Sequence, residues 1–193
     1  LSMTKMEKEE IRKRLGFTKD LPLVLAFGGS QGAKSINESL IEIIQKEMNQ
    51  HYNLLWATGA SAYDEIKEVL ERENRSLESR NTVKIVPYIY NMEEMLNAVD
   101  VIISRSGAMS ITEISTVGKP AIFIPFPYAA ENHQEYNARV LEKAKAAKVI
   151  LDKALTATYL NQEVEELIKN PQKMENMGIN ARKIAIDHVE DKI

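Results

Sequence analysis

Two glycine-bearing turns carry the clearest chemistry in this chain. One is Gly28-Gly29-Ser30-Gln31-Gly32-Ala33, and the other is Ser104-Arg105-Ser106-Gly107-Ala108. Each follows a short strand-like run, the wholly apolar LVLAF and the mostly apolar DVIIS, and leads into a segment with helical spacing. Glycine lets a backbone come close to a ligand. A helix start offers unpaired N–H groups and a partial positive charge. Two such starts converging on one crevice would hold a phosphate or diphosphate. Ser30 and Ser106 can cap the helices or donate to phosphate oxygens. GGSQGA fits neither GxGxxG nor GxxxxGK[ST], so it supports no dinucleotide or P-loop assignment.

Other polar residues fall near the same crevice. Glu113 lies about two turns into the helix after the second glycine turn, with Ile111 and Ile114 facing the core. A carboxylate there can accept two hydrogen bonds from ribose hydroxyls; from spacing alone, a solvated helix glutamate is the simpler reading. The loop PFPYAAENHQEYNA supplies Glu131, Asn132, His133, Gln134, Glu135 and Asn137, with Pro125 and Pro127 stiffening its approach. For His133 a general base and a solvated or ligand-contacting residue both stand. Tyr88-Ile89-Tyr90 can hold a base at an apolar edge, or simply pack. Trp56 and the Met92/Met95 pair read as core. The three histidines, His51, His133 and His188, have no metal-ligand spacing, and no Asp-x-Asp pair occurs. No bound metal or cofactor is expected.

These residues need a scaffold, and the apolar pattern supplies one. Strands are expected near 23–27, 53–57, 82–86, 100–104, 120–126 and 147–151. Helices are expected near 5–15, within 30–48, and near 63–73, 92–98, 107–117, 132–146, 157–169 and 171–188, with Asn170-Pro171 as the last break. The alternation predicts a doubly wound, Rossmann-like α/β fold: a parallel six-stranded sheet with helices on both faces, for which a common strand order is 3-2-1-4-5-6. That order makes strands one and four neighbours where strand order reverses, which puts the two glycine turns side by side. Residues 1–193 read as a single domain, with the last helices (about 157–190) packed on it.

Composition bounds the partners. The chain has 193 residues, 44% hydrophobic and 27% charged, which is ordinary for a globular domain. A net charge of −3 lacks the electrostatic footprint of a nucleic-acid binder. Cysteine is absent, which excludes disulfides, thiolate metal sites and a cysteine nucleophile. No apolar run reaches the roughly 20 residues that span a bilayer, and residues 1–5 do not form a secretory signal. The helix near 5–15 mixes both charges and reads as a solvated face. Leu1 is not an initiator methionine, so the chain reads as part of a longer one.

Four segments occur in order: GGSQGAKSIN, YIYNMEEML, SRSGAMSITEISTVGKPAIFIPFP and NHQEYNARVLEKAKAAKVI. Together they closely resemble the carboxyl-terminal domain of the bacterial MurG family, from about Lys13 onward. The resemblance implies one half of a two-domain glycosyltransferase, the half that binds the donor UDP-GlcNAc. The family transfers GlcNAc, with inversion and without a bound metal, to a lipid-linked muramyl-pentapeptide during peptidoglycan synthesis. By motif, Gly29, Ser30 and Gln31 would lie near the diphosphate and sugar, and Ile89 would present its backbone to uracil. Ser106, Gly107, Ala108, Met109, Ser110, Ile111 and Thr112 would line the nucleotide and phosphates. Glu113 would hold the ribose, and Gln134, with His133 and Asn137, would meet the GlcNAc hydroxyls. The acceptor site, the catalytic base and the membrane-facing surface belong to an amino-terminal domain absent here, so this chain would carry no catalytic residue. An Asn-Pro-x-Arg segment of the family is missing at Leu1–Lys5. The resemblance also implies a cytoplasmic protein, peripheral on the inner face of the plasma membrane. The competing reading is a stand-alone UDP-sugar binding module, or the donor subunit of a two-chain glycosyltransferase.

Overall fold

The computed structural model describes residues 3–28, 33–72 and 80–190. Six strands form one parallel sheet: β1 (Leu23–Phe27), β2 (Asn53–Ala57), β3 (Val83–Val86), β4 (Val101–Ser104), β5 (Ala121–Phe123) and β6 (Lys148–Val149). Their order is β3-β2-β1-β4-β5-β6, the common doubly wound order. Eight α-helices are described: α1 (Lys5–Arg14), α2 (Lys34–Gln45), α3 (Ala60–Glu71), α4 (Met92–Ala98), α5 (Ala108–Val117), α6 (His133–Lys143), α7 (Ala157–Ile168) and α8 (Pro171–Glu190).

The inner strands β1, β2, β4 and β5 are buried on both faces, which explains their largely apolar sequence, whereas the edge strands β3 and β6 are only partly buried and carry Lys84 and Lys148. Side chains alternate between two core layers. Val24, Ala26, Leu54, Trp56, Val101, Ile103 and Ile122 pack under α2, α3 and α7. Leu23, Leu25, Leu55, Ile102, Ala121 and Phe123 pack under α4, α5, α6 and α8. Trp56 is core, and Met92 and Met95 pack against the second layer.

Several ends differ from the sequence expectation for visible reasons. The strand expected over 120–126 stops at Phe123. Ile124 N still donates to Ser104 O, 2.9 Å away, but Pro125 has no N–H to continue the ladder. Helix α3 begins three residues early because Gly59, at φ 85°, turns the chain into it. Helix α1 opens with a capping box between Thr4 and Glu7 and stops before Gly16, at φ 91°. It docks through Arg14, whose Nη2 lies 2.5 Å from Glu94 of α4.

Helix α8 lies against α5 at a glycine contact. Gly118 ends α5 in the left-handed conformation, at φ 68°. A Cβ at Gly178 would fall 2.2 Å from Gly118 O, so only glycine fits there.

Candidate functional site

Phe27, the last residue of β1, sits in register with Ser104, the last residue of β4. Neighbouring strands run about 4.8 Å apart, so the two turns leave the sheet together. Residues Gly29, Ser30 and Gln31 lie outside the described residues. Their flanks are described, and a Cβ at Gly28 would fall 2.4 Å from Ala33 Cβ. That close approach accounts for the glycine at this position.

Ala33 precedes α2 and Gly107 precedes α5, and among the described residues neither start has a side-chain cap. The first-turn N–H groups of Lys34, Ser35 and Ile36, and of Ala108, Met109 and Ser110, have no acceptor within their own helices. Ser106 does not cap α5. Its Oγ donates to Gln134 O at 2.8 Å and is fully buried. The capping role expected for Ser106 is therefore corrected, because the loop after β5 takes up its hydroxyl.

Gln134 is buried, and its side-chain oxygen accepts from Ser106 N at 3.2 Å and Phe126 N at 3.0 Å. It locks the turn after β4 to the turn after β5. Its Nε2, which has no hydrogen-bond partner among the described residues, lies 3.7 Å from where a Cβ of Gly107 would stand. Asn137 Nδ2 reaches Ser106 O at 3.4 Å. His133 is exposed, with Nδ1 2.9 Å from Ala130 O. Gln134 and Asn137 are thus brought to the second glycine turn, whereas His133 faces its own loop.

Glu113 is exposed on α5 and has no hydrogen-bond or ion-pair partner among the described residues. Met109 is 78% exposed, and Thr112 Oγ1 donates back to Ala108 O at 2.9 Å. Ile89 follows β3 at the same carboxyl edge of the sheet and is partly buried in the second core layer. Its neighbours Tyr88 and Tyr90 are exposed rather than packed. Their hydroxyls lie 2.7 Å apart and their rings meet edge to face at 4.7 Å. The hydrogen bond to Tyr88 holds the Tyr90 phenol above the usual tyrosine range. A cavity of about 410 Å³ runs along α5 from Ala108 to Thr116, between that helix, Tyr136–Leu141 of α6 and Ile184 and Ala185 of α8.

Three residues here escaped sequence reasoning: Arg105, Ser35 and Asp152. Arg105 is 5% exposed, with Nη1 2.6 Å from Asp152 Oδ1. The signal available was a lone arginine at the end of a buried apolar run. Its partner is 47 positions away, beyond any local pattern. Among the described residues, no cluster of three or more His, Cys, Asp or Glu side chains could hold a metal ion. None of the described helices is long and apolar enough to cross a membrane.

A parallel sheet of this order, with uncapped helix starts at its reversal, defines a Rossmann-like domain. Residues 23–191 match the glycosyltransferase family 28 C-terminal domain, and the chain belongs to that family. It is 44% identical over 191 residues to the UDP-N-acetylglucosamine–N-acetylmuramyl-(pentapeptide) pyrophosphoryl-undecaprenol N-acetylglucosamine transferase of Thermoanaerobacter sp. (strain X514). That match covers 99% of this chain and 52% of the relative. The same enzyme of Caldanaerobacter subterraneus subsp. tengcongensis is 41% identical over 191 residues, with the same coverage. The crystal structure of Acinetobacter baumannii MurG superposes with a TM-score of 0.72 at 30% identity, covering 96% of this chain and 52% of that one. The chain spans about half the length of the curated relatives it matches.

Proposed function

We propose that this chain is the donor-binding half of an inverting glycosyltransferase. It takes UDP-GlcNAc and presents it for transfer to a lipid-linked muramyl-pentapeptide in peptidoglycan synthesis. The observation that carries the reading is the pairing of two uncapped helix starts, at Ala33 and Gly107, on adjacent strands of a family 28 domain. The site is assigned to Gly29, Ser30, Gln31, Ile89, Ser106–Glu113, His133, Gln134 and Asn137.

In this mechanism Ile89 and Glu113 anchor uracil and ribose. The two helix starts receive the negative charge that grows on UDP as the glycosidic bond breaks. Preorganised dipoles stabilise that leaving group without reorganisation at the moment of reaction. They need no metal for this task. Gln134 Nε2 and Asn137 turn toward the sugar. The acceptor hydroxyl and the base that deprotonates it come from an amino-terminal acceptor domain, and the full enzyme works at the inner face of the plasma membrane.

The test is a calorimetric titration with UDP-GlcNAc, UDP-GalNAc and UDP-glucose, repeated in the presence of the acceptor half. UDP-GlcNAc is expected to bind tightest, and turnover to appear only with both halves. Equal affinity for all three donors would overturn the sugar assignment. No binding of any uridine nucleotide would overturn the donor site itself.

A further inference from the structure

Arg105 is the first residue after β4. An arginine does not shed its proton, and burying it is costly unless its N–H groups find acceptors. Its Nη1 lies 2.6 Å from Asp152 Oδ1, 3.2 Å from Ile124 O and 3.3 Å from Pro125 O. Its Nη2 lies 3.5 Å from Ser35 Oγ, and Ser35 Oγ in turn donates to the same Asp152 oxygen. The guanidinium carbon stands 5.6 Å from the centre of the Phe126 ring. Ser35 belongs to the first turn of α2, after β1. Ile124 and Pro125 follow β5, and Asp152 follows β6. One side chain therefore ties together the connections leaving four neighbouring strands.

We propose that Arg105, held by Asp152, is a positioning residue for the diphosphate: it fixes the first turn of α2 against the turn that opens α5. The inference rests on the reading that these two helix starts take the donor diphosphate. Hydrogen bonds from backbone N–H to phosphate tolerate only a few tenths of an ångström. The field of a helix end fades within its first turn. A small shift between the two starts would therefore weaken phosphate binding before it disturbed the sheet. Asp152 balances the guanidinium charge, so the contribution of the pair is geometric. Asp152 thus controls phosphate affinity through Arg105 and Ser35, without touching the donor.

The test titrates UDP and uridine, by calorimetry and by NMR, against the chain and its Asp152→Asn, Ser35→Ala and Arg105→Lys variants. Uridine reads the base and ribose anchors alone, and UDP reads those plus the diphosphate. Asp152→Asn is expected to weaken UDP about tenfold, as loss of a charge-assisted hydrogen bond would, while uridine binding stays within about twofold. Arg105→Lys, a cation without the planar fork, should reproduce that pattern, and Ser35→Ala should show a milder form of it. Equal losses for UDP and uridine would mean general loosening and overturn the inference. So would unchanged UDP binding in Asp152→Asn, a partly exposed site that remains testable if Arg105→Lys does not fold. If the unsubstituted chain binds UDP no better than uridine, the diphosphate reading itself falls, and the inference with it.

Discussion

The side-chain oxygen of Gln134 lies 3.2 Å from the backbone nitrogen of Ser106, which joins the loop after β5 to the turn that opens α5. The same oxygen accepts from Phe126 N at 3.0 Å. A residue expected to face the sugar is therefore first a brace, and only its Nε2 is left for a ligand.

Gln134→Ala and Gln134→Glu separate those two duties. Alanine leaves the buried Ser106 N–H without an acceptor, at a cost of about 1–3 kcal/mol, and the part-buried Phe126 N–H as well. Its denaturant midpoint should fall clearly. Glutamate keeps an acceptor for both N–H groups but removes the Nε2 donor. Its midpoint should stay near that of the unsubstituted chain, while UDP-GlcNAc loses its advantage over UDP in a binding titration.

Glu113 is exposed and makes no described hydrogen bond, so stability should not depend on it. Glu113→Ala should melt like the parent. If the carboxylate holds the ribose, UDP affinity should fall by roughly 1–3 kcal/mol, the value of hydrogen bonds to a charged group. Unchanged affinity by calorimetry would remove Glu113 from the site.

Gly178→Ala tests the contact between α8 and α5. The added Cβ would fall 2.2 Å from Gly118 O, a backbone atom that cannot swing aside. Overpacking of this kind costs about 1–3 kcal/mol, despite the better helix propensity of alanine. The loss should appear in urea unfolding as a lower midpoint.

Lys119 gives the chain a pH signature. Burial, and next the nearby Lys8, lower its pKa from 10.5 to about 8. Below pH 8 the ammonium is protonated in both folded and unfolded chains, and the folded state bears the cost of holding it. Between pH 8 and 10.5 the unfolded chain binds more protons than the folded one, so the Lys119 contribution to stability rises with pH across that window. Lys119→Met should stabilise the protein at pH 7 by on the order of 1 kcal/mol and flatten that rise. Melting curves at pH 7, 8, 9 and 10 check the sign.

The strands were legible in the sequence because a strand buried on both faces cannot hide its composition, whereas their order came from the common doubly wound topology. LVLAF, NLLWA and DVIIS announce themselves, and the glycine turns after the first and third follow directly. Helix ends were less legible where they depend on one backbone angle, as at Gly59. The site was half legible. Glycines and polar loop residues mark where a ligand can approach, but the hydroxyl of Ser106 reads identically whether it caps α5 or bonds to Gln134 O. The Arg105–Asp152 pair was out of reach, because nothing local to either residue names the other.

The parallel pairing of β1 with β4 has a kinetic consequence. Leu23 N donates to the carboxylate of Asp100, 77 positions later in the chain. The crevice therefore cannot exist in any partly made protein that has not yet emitted β4. Contacts of such long range close late and slowly, so the proposed nucleotide capture would be a readout of completed topology rather than of local helix formation.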